Sequence, residues 1–170
     1  MINIILYRPE KPLNTGNIIR TAMATDCKLH IIGPITFSLE EKDIKRAGLD
    51  YISVANFKYY ENLEVFLETN SLDKSKIIYI TRYGKKSYDN IEKKYNEDIF
   101  LMFGRESSGI PKEILSNNID NCFRIPMVKE ARSLNLANSV AIVVYDVLRK
   151  EDFNNLSKEE VLKGSNFLKN

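Results

Sequence analysis

Short, mostly apolar runs recur along the chain, each closed by a glycine, a proline or a charged turn: Ile2 to Tyr7, Leu29 to Ile32, Lys76 to Ile80, Ile99 to Phe103 and Cys122 to Ile125. Runs this short and continuous suit strands covered on both faces. Tyr51 to Ala55 reads as a further strand. Helical patterns lie between them. These are Thr15 to Ala24, Glu40 to Ala47 closed by Gly48, Asn62 to Glu68, Pro111 to about Ser116, and Leu136 to Lys150. Asn14 or Thr15 is expected to cap the first helix. Regular alternation of strand and helix predicts an α/β fold, a mostly parallel sheet with helices on both faces.

At 170 residues the chain is long enough for one domain with a real core, and its 44% hydrophobic and 28% charged residues suit a globular protein. We place that domain at residues 1–150 and a short helical tail at 151–170, where Ser157-Lys158-Glu159-Glu160 has a capping-box pattern before Gly164. No run is long enough to span a bilayer, and the first residues lack a basic leader, so a cytoplasmic protein is expected. Cys27 and Cys122 are far apart and read as reduced core thiols. The single histidine, His30, sits inside an apolar run and reads as structural or surface. One histidine and no CxxC pair leave no metal-site pattern.

Polar segments, the first two of them glycine-bearing, follow the apolar runs: Asn14-Thr15-Gly16-Asn17, Gly104-Arg105-Glu106-Ser107-Ser108-Gly109, and Pro126 to Asn135. In open α/β sheets ligands bind beyond the carboxyl ends of the strands. Basic charge gathers in the same places. Segments 8–12, 81–87, 104–110 and 126–133 carry Arg8, Lys11, Arg82, Lys85, Lys86, Arg105, Lys129 and Arg132 against Glu10, Glu106 and Glu130. Their net charge is +5 in a chain of net +2. Such an edge suits a polyanion.

The chemistry of these segments has two readings each. Glu106 can stabilise a nearby helix N-terminus or meet a substrate. Ser133 or Asn135 can cap the last helix, and Ser133 can also offer a hydroxyl to a ligand. Arg20 shares a helix face with Asn17 and can clamp a phosphate bidentately. The GxGxxG fingerprint and the Walker A loop are both absent.

The three segments together resemble the motifs of the SPOUT (trefoil-knot) RNA 2′-O-ribose methyltransferases. They run from Asn14 to Arg20, from Phe103 to Pro111, and from Arg124 through Ser133-Leu134-Asn135 to Ala141. The opening Asn3-Ile4-Ile5-Leu6-Tyr7 and Arg46-Ala47-Gly48-Leu49-Asp50-Tyr51 resemble the minimal subgroup that methylates cytidine or uridine at wobble position 34 of tRNA. The likeness covers about residues 1–150. It implies a deep C-terminal trefoil knot and S-adenosyl-L-methionine as methyl donor, leaving S-adenosyl-L-homocysteine, with no metal. By position, cofactor contacts fall on Thr81, Gly104, Ile125, Met127, Ser133, Leu134 and Ala137. Catalytic positions fall on Asn14, Arg20, Glu106, Ser133 and Asn135. Arg105 departs from the proline or serine common before the glutamate, and Ser108 from a frequent basic residue.

The implied partners are tRNA, through its anticodon stem-loop, and a second copy of the chain. The homodimer fits the last helix, which carries one apolar stripe of Leu136, Val140, Val143 and Val147 and another of Ala137, Ala141, Tyr145 and Leu148. Guanidinium is a poor base, so Arg20 reads as a clamp on phosphate and ribose oxygen, in its own or its partner's site. Other readings are 2′-O-methylation at another tRNA or rRNA site, a non-catalytic RNA-binding paralogue, and a small-molecule binding protein.

Overall fold

The computed structural model describes residues 1–40, 57–92 and 97–164. Within them one sheet contains β1 (Ile2–Tyr7), β2 (Lys28–Ile32), β3 (Phe57–Tyr60), β4 (Ile77–Ile80), β5 (Lys86–Ser87), β6 (Ile99–Phe103) and β7 (Cys122–Arg124). Their spatial order is β3-β2-β1-β6-β4-β7-β5. Every pairing is parallel. The α-helices of the described residues are α1 (Pro12–Ala24), α2 (Leu63–Thr69), α3 (Lys112–Ser116) and α4 (Leu136–Lys150).

Successive strand side chains point to opposite faces, and both faces are covered. Ile4 and Leu6 of β1 join a core with Ile18 and Ile19 of α1 and Val140, Val143, Val144 and Val147 of α4. Ile5 and Tyr7 point the other way, to a core with Leu63 and Phe66 of α2 and Leu115 of α3. This explains why the runs show no polar alternation. Both cysteines are buried free thiols, and burial raises the pKa of each. His30 is structural: its ring bonds Asn3 Oδ1 at 3.2 Å and Tyr60 OH at 3.0 Å. Burial, then the charges of Lys28 and Lys58, lower its pKa to about 4.

Several boundaries differ from expectation. The first helix starts at Pro12 with Lys11 at the N-cap position. Neither Asn14 nor Thr15 caps it; Asn14 is already inside the first turn and buried. Proline at the first helical position needs no N–H partner, so it starts the helix without a polar cap. The edge strand β3 and the two-residue β5 were not apparent from the pattern. Most of β3 is exposed or half-exposed, which removes the continuous apolar signal. The described part of the tail, 151–164, forms turns and bends rather than a helix. Ser157 Oγ donates to Glu159 O instead of capping a helical turn. The expected strand at Tyr51 to Ala55, nearly all of the expected helix from Glu40 to Ala47, and the segment Arg46 to Tyr51 lie outside the described residues.

Candidate active site

The carboxyl ends of β1, β4, β6 and β7 meet at one edge, and the loops leaving them enclose a cavity of about 580 Å³. That volume suits a nucleoside-sized ligand. Ile80, Phe103, Ile110, Ile125 and Leu136 give it apolar surface, while Thr81, Ser133, Asn135 and Ser139 supply polar groups.

The cavity is held open by a clasp between the β1–α1 loop and the loop after β6. Glu106 Oε2 accepts from Glu10 N at 2.8 Å. Its Oε1 accepts from Lys11 N at 3.1 Å and from Asn14 Nδ2 at 3.0 Å. Asn14 Oδ1 in turn accepts from Asn135 Nδ2 at 3.0 Å. Asn135 Oδ1 caps α4, accepting from Asn138 N at 3.2 Å. The donors therefore run in one direction, from the start of α4 through α1 to the carboxylate. Glu10 answers from the other side. Its carboxylate accepts from Ser107 N at 2.9 Å and Ser107 Oγ at 2.8 Å, and Arg105 Nε lies 3.6 Å away. The bonds from Ser107 hold the Glu10 carboxyl below its usual pKa.

Glycine matters at two points of this loop. A Cβ at Gly104 would press into the backbone of Gly109 and Ile110. The loop folds back on itself there, with Arg105 N donating to Gly109 O at 3.1 Å and Gly109 N to Arg105 O at 2.9 Å. Gly109 adopts φ +72°, which glycine takes at little cost.

The structure brings most of the expected residues together. Of the expected cofactor contacts, Thr81, Gly104, Ile125, Met127, Ser133 and Leu134 line the cavity. Ala137 does not; it is buried against the core from the first turn of α4. Asn14, Glu106 and Asn135 line it as well. Arg20 lies outside its lining, on the exposed side of α1. Among the expected RNA contacts, Lys11, Arg82, Arg105 and Arg132 reach the cavity, and Lys129 lines a neighbouring cleft. Arg8 instead donates from Nε to Gly33 O at 3.2 Å. Lys86 donates from Nζ to Asp120 O at 2.7 Å, and Lys85 is exposed. Leu136, Ser139 and Tyr83 were missed as lining residues. Helical spacing from Asn135 pointed to Ser139, four residues on.

The sequence profile of the SpoU rRNA Methylase family matches residues 1–145. The chain belongs to that family. A relative from Bacillus subtilis (strain 168) is 44% identical over 156 residues, covering 91% of this chain and 96% of its own length. A tRNA (cytidine(34)-2′-O)-methyltransferase of Methylovorus glucosotrophus (strain SIP3-4) is 40% identical over 154 residues, covering 90% and 97%. A solved structure described as "Structural insights into the 2-OH methylation of C/U34 on tRNA" superposes with TM-score 0.78 at 35% identity, covering 89% of this chain and 91% of that one. An AdoMet-bound rRNA methyltransferase from Sinorhizobium meliloti gives TM-score 0.74 at 26% identity, covering 88% of this chain and 56% of that one. Among the described residues of the present chain, no group of three His, Cys, Asp or Glu side chains could hold a metal ion. None of the described helices is long and apolar enough to cross a membrane.

Proposed function

We propose that this protein transfers a methyl group from S-adenosylmethionine to the ribose 2′-hydroxyl of the wobble nucleotide, position 34, of tRNA. The carrying observation is that the three motif segments, far apart in sequence, line one cavity at the carboxyl edge of the sheet. The AdoMet-bound neighbour supports the cofactor. The relatives that act on position 34 support the substrate.

The cavity fits the cofactor: its apolar surface can cover an adenine, and Thr81 and Ser133 offer hydroxyls at its wall. Bound there, S-adenosylmethionine supplies an electrophilic methyl carbon on a sulfonium. The chain's own task is alignment. The Glu106–Asn14–Asn135 relay fixes the β1–α1 loop against the start of α4, so Glu106 and Asn14 act by positioning. Arg20 is the clamp for the RNA ribose and phosphate, donating hydrogen bonds to the oxygen that gains negative charge. Its place outside its own cavity supports service to the partner's site in a homodimer. Exposed Leu13 of α1 and Ile142 and Tyr145 of α4 offer the apolar surface for that contact. The anticodon stem-loop is the RNA element bound. A threaded C-terminal segment belongs to the same proposal. In its support, β7 lies between β4 and β5, strands joined only by residues 81–85.

The test is incubation with S-adenosylmethionine and unmodified tRNA, followed by mapping of 2′-O-methyl groups. Methylation at position 34 is expected. Transfer to another tRNA or rRNA site would overturn the wobble assignment. RNA binding without transfer would leave a non-catalytic paralogue.

A further inference from the structure

Beside the cofactor cavity lies a second cleft of about 500 Å³. It is formed by the turn after β4 and the segment after β7, and shares Arg82, Tyr83, Met127 and Arg132 with the larger cavity. Four cations line it, Arg82, Arg124, Lys129 and Arg132, and no carboxylate does. Among the described residues none of the four makes an ion pair. Arg105, Arg149 and Lys150, in contrast, each lie against a carboxylate. Four cations gathered in a cleft that no carboxylate lines repel one another, and a polyanion relieves that repulsion. The cleft also holds two large apolar side chains in solvent, Tyr83 and Val128, each 72% exposed. Arg82 lies over the Tyr83 ring at 5.6 Å. An exposed aromatic ring among phosphate-binding cations is the surface that an unpaired nucleotide requires: a face for the base and donors for its phosphate.

We infer that this cleft binds an unpaired nucleotide flanking the methylated one, its base against Tyr83 and Val128 and its phosphate among Arg82, Arg124, Lys129 and Arg132. The inference rests on the RNA methyltransferase reading above and specifies where the substrate continues beyond the reacting ribose. The shared walls mean that a strand leaving the cofactor cavity enters this cleft next.

The experiment uses the full chain and a synthetic anticodon stem-loop RNA carrying 2-aminopurine singly at each loop position. Tyr83→Ala should weaken RNA binding about tenfold, within the range of one lost stacking contact, whereas Tyr83→Phe should bind as the parent does. Val128→Asp should weaken it too, by placing a carboxylate beside the phosphate. Arg124→Gln and Lys129→Gln should each lower the slope of log Kd against log salt concentration by roughly 0.7. Val128, Arg124 and Lys129 line this cleft and not the cofactor cavity, so S-adenosylmethionine affinity should be unchanged in those three variants. The 2-aminopurine signal should be quenched at a position next to the methylated nucleotide, and less so in Tyr83→Ala. Circular dichroism checks folding. Parent-like RNA affinity and KM in Tyr83→Ala and Val128→Asp would overturn the subsite. So would weakening in the arginine and lysine variants alone, which marks a phosphate contact without a base. If the parent protein transfers no methyl group to any RNA, the broader reading fails instead.

Discussion

Replacing Glu106 by glutamine separates a positioning role from direct contact with substrate. The carboxylate accepts three hydrogen bonds, one on Oε2 from Glu10 N and two on Oε1 from Lys11 N and Asn14 Nδ2. Glutamine has one acceptor oxygen in place of two. If that oxygen keeps Lys11 and Asn14, its amide nitrogen confronts the N–H of Glu10, donor against donor. The other orientation loses two bonds instead of one. Leaving one partner unsatisfied costs about 1–3 kcal/mol, and the surviving bonds lose their charge assistance. The group is half-buried, so solvent reduces the penalty, and we take about 2 kcal/mol. In a chain of this size that lowers Tm by roughly 4–8 °C. The relay also fixes Asn14 and Asn135, so cofactor affinity should fall along with stability. Thermal melting and calorimetric titration with S-adenosylmethionine measure both. A variant with parent-like Tm and cofactor affinity, but little turnover, would refute the positioning argument and put Glu106 on the substrate.

Arg20→Ala should leave cofactor affinity nearly unchanged, since Arg20 is outside the cavity lining. Methyl transfer should fall about a hundredfold, corresponding to roughly 3 kcal/mol of transition-state stabilisation; full activity would discard the assignment. Gly104→Ala should lower Tm more than Gly109→Ala, because the Gly104 Cβ meets backbone while Gly109 has open space and only a left-handed φ to lose; the same melts decide it, and the reverse order would contradict the geometry. Tyr145→Glu changes a residue 45% exposed in the protomer, so it should spare folding and weaken the proposed dimer, a shift visible by light scattering; a parent that is already monomeric would refute the dimer. His30 has a folded pKa of about 4 against an ordinary 6.5. The unfolded chain therefore binds more protons between those values, and stability is lost as pH falls from about 6.5 towards 4. The full effect is about 3 kcal/mol. Urea midpoints across that range should flatten in His30→Asn, and an unchanged slope would exclude His30 as the cause.

Local periodicity carries burial, so the elements most legible in the sequence are those buried on both sides. β1, β6 and α4 match their expected ranges. The second stripe of α4 does not stay apart: Ala137 and Leu148 join Val140, Val143 and Val147 in the core, while Tyr145 is exposed. The motif segments were legible for a related reason: glycine and polar residues directly after an apolar run have nowhere to go but the sheet's edge. Which side chain meets which was not legible. Glu106 and Asn14 are 92 residues apart, and Asn14 and Asn135 are 121 apart. Nothing in a window of ten or twenty residues encodes that pairing. The contacts on which the positioning reading of Glu106 rests came only with the third dimension, which set its oxygens against Glu10 N, Lys11 N and Asn14 Nδ2. Gly104, expected as a cofactor contact, does line the cavity, but only the folded loop shows that it also makes room for the backbone of Gly109 and Ile110. Asn135 caps α4 with its side-chain oxygen as expected, while its amide nitrogen holds Asn14, a contact no local pattern encodes. Sequence determined which segments are strand, helix and loop, because that depends on each residue's neighbours along the chain. Tertiary structure alone decided which loops share a cavity and which cations were left facing it unpaired, because those depend on strand order, and strand order is a property of the whole sheet.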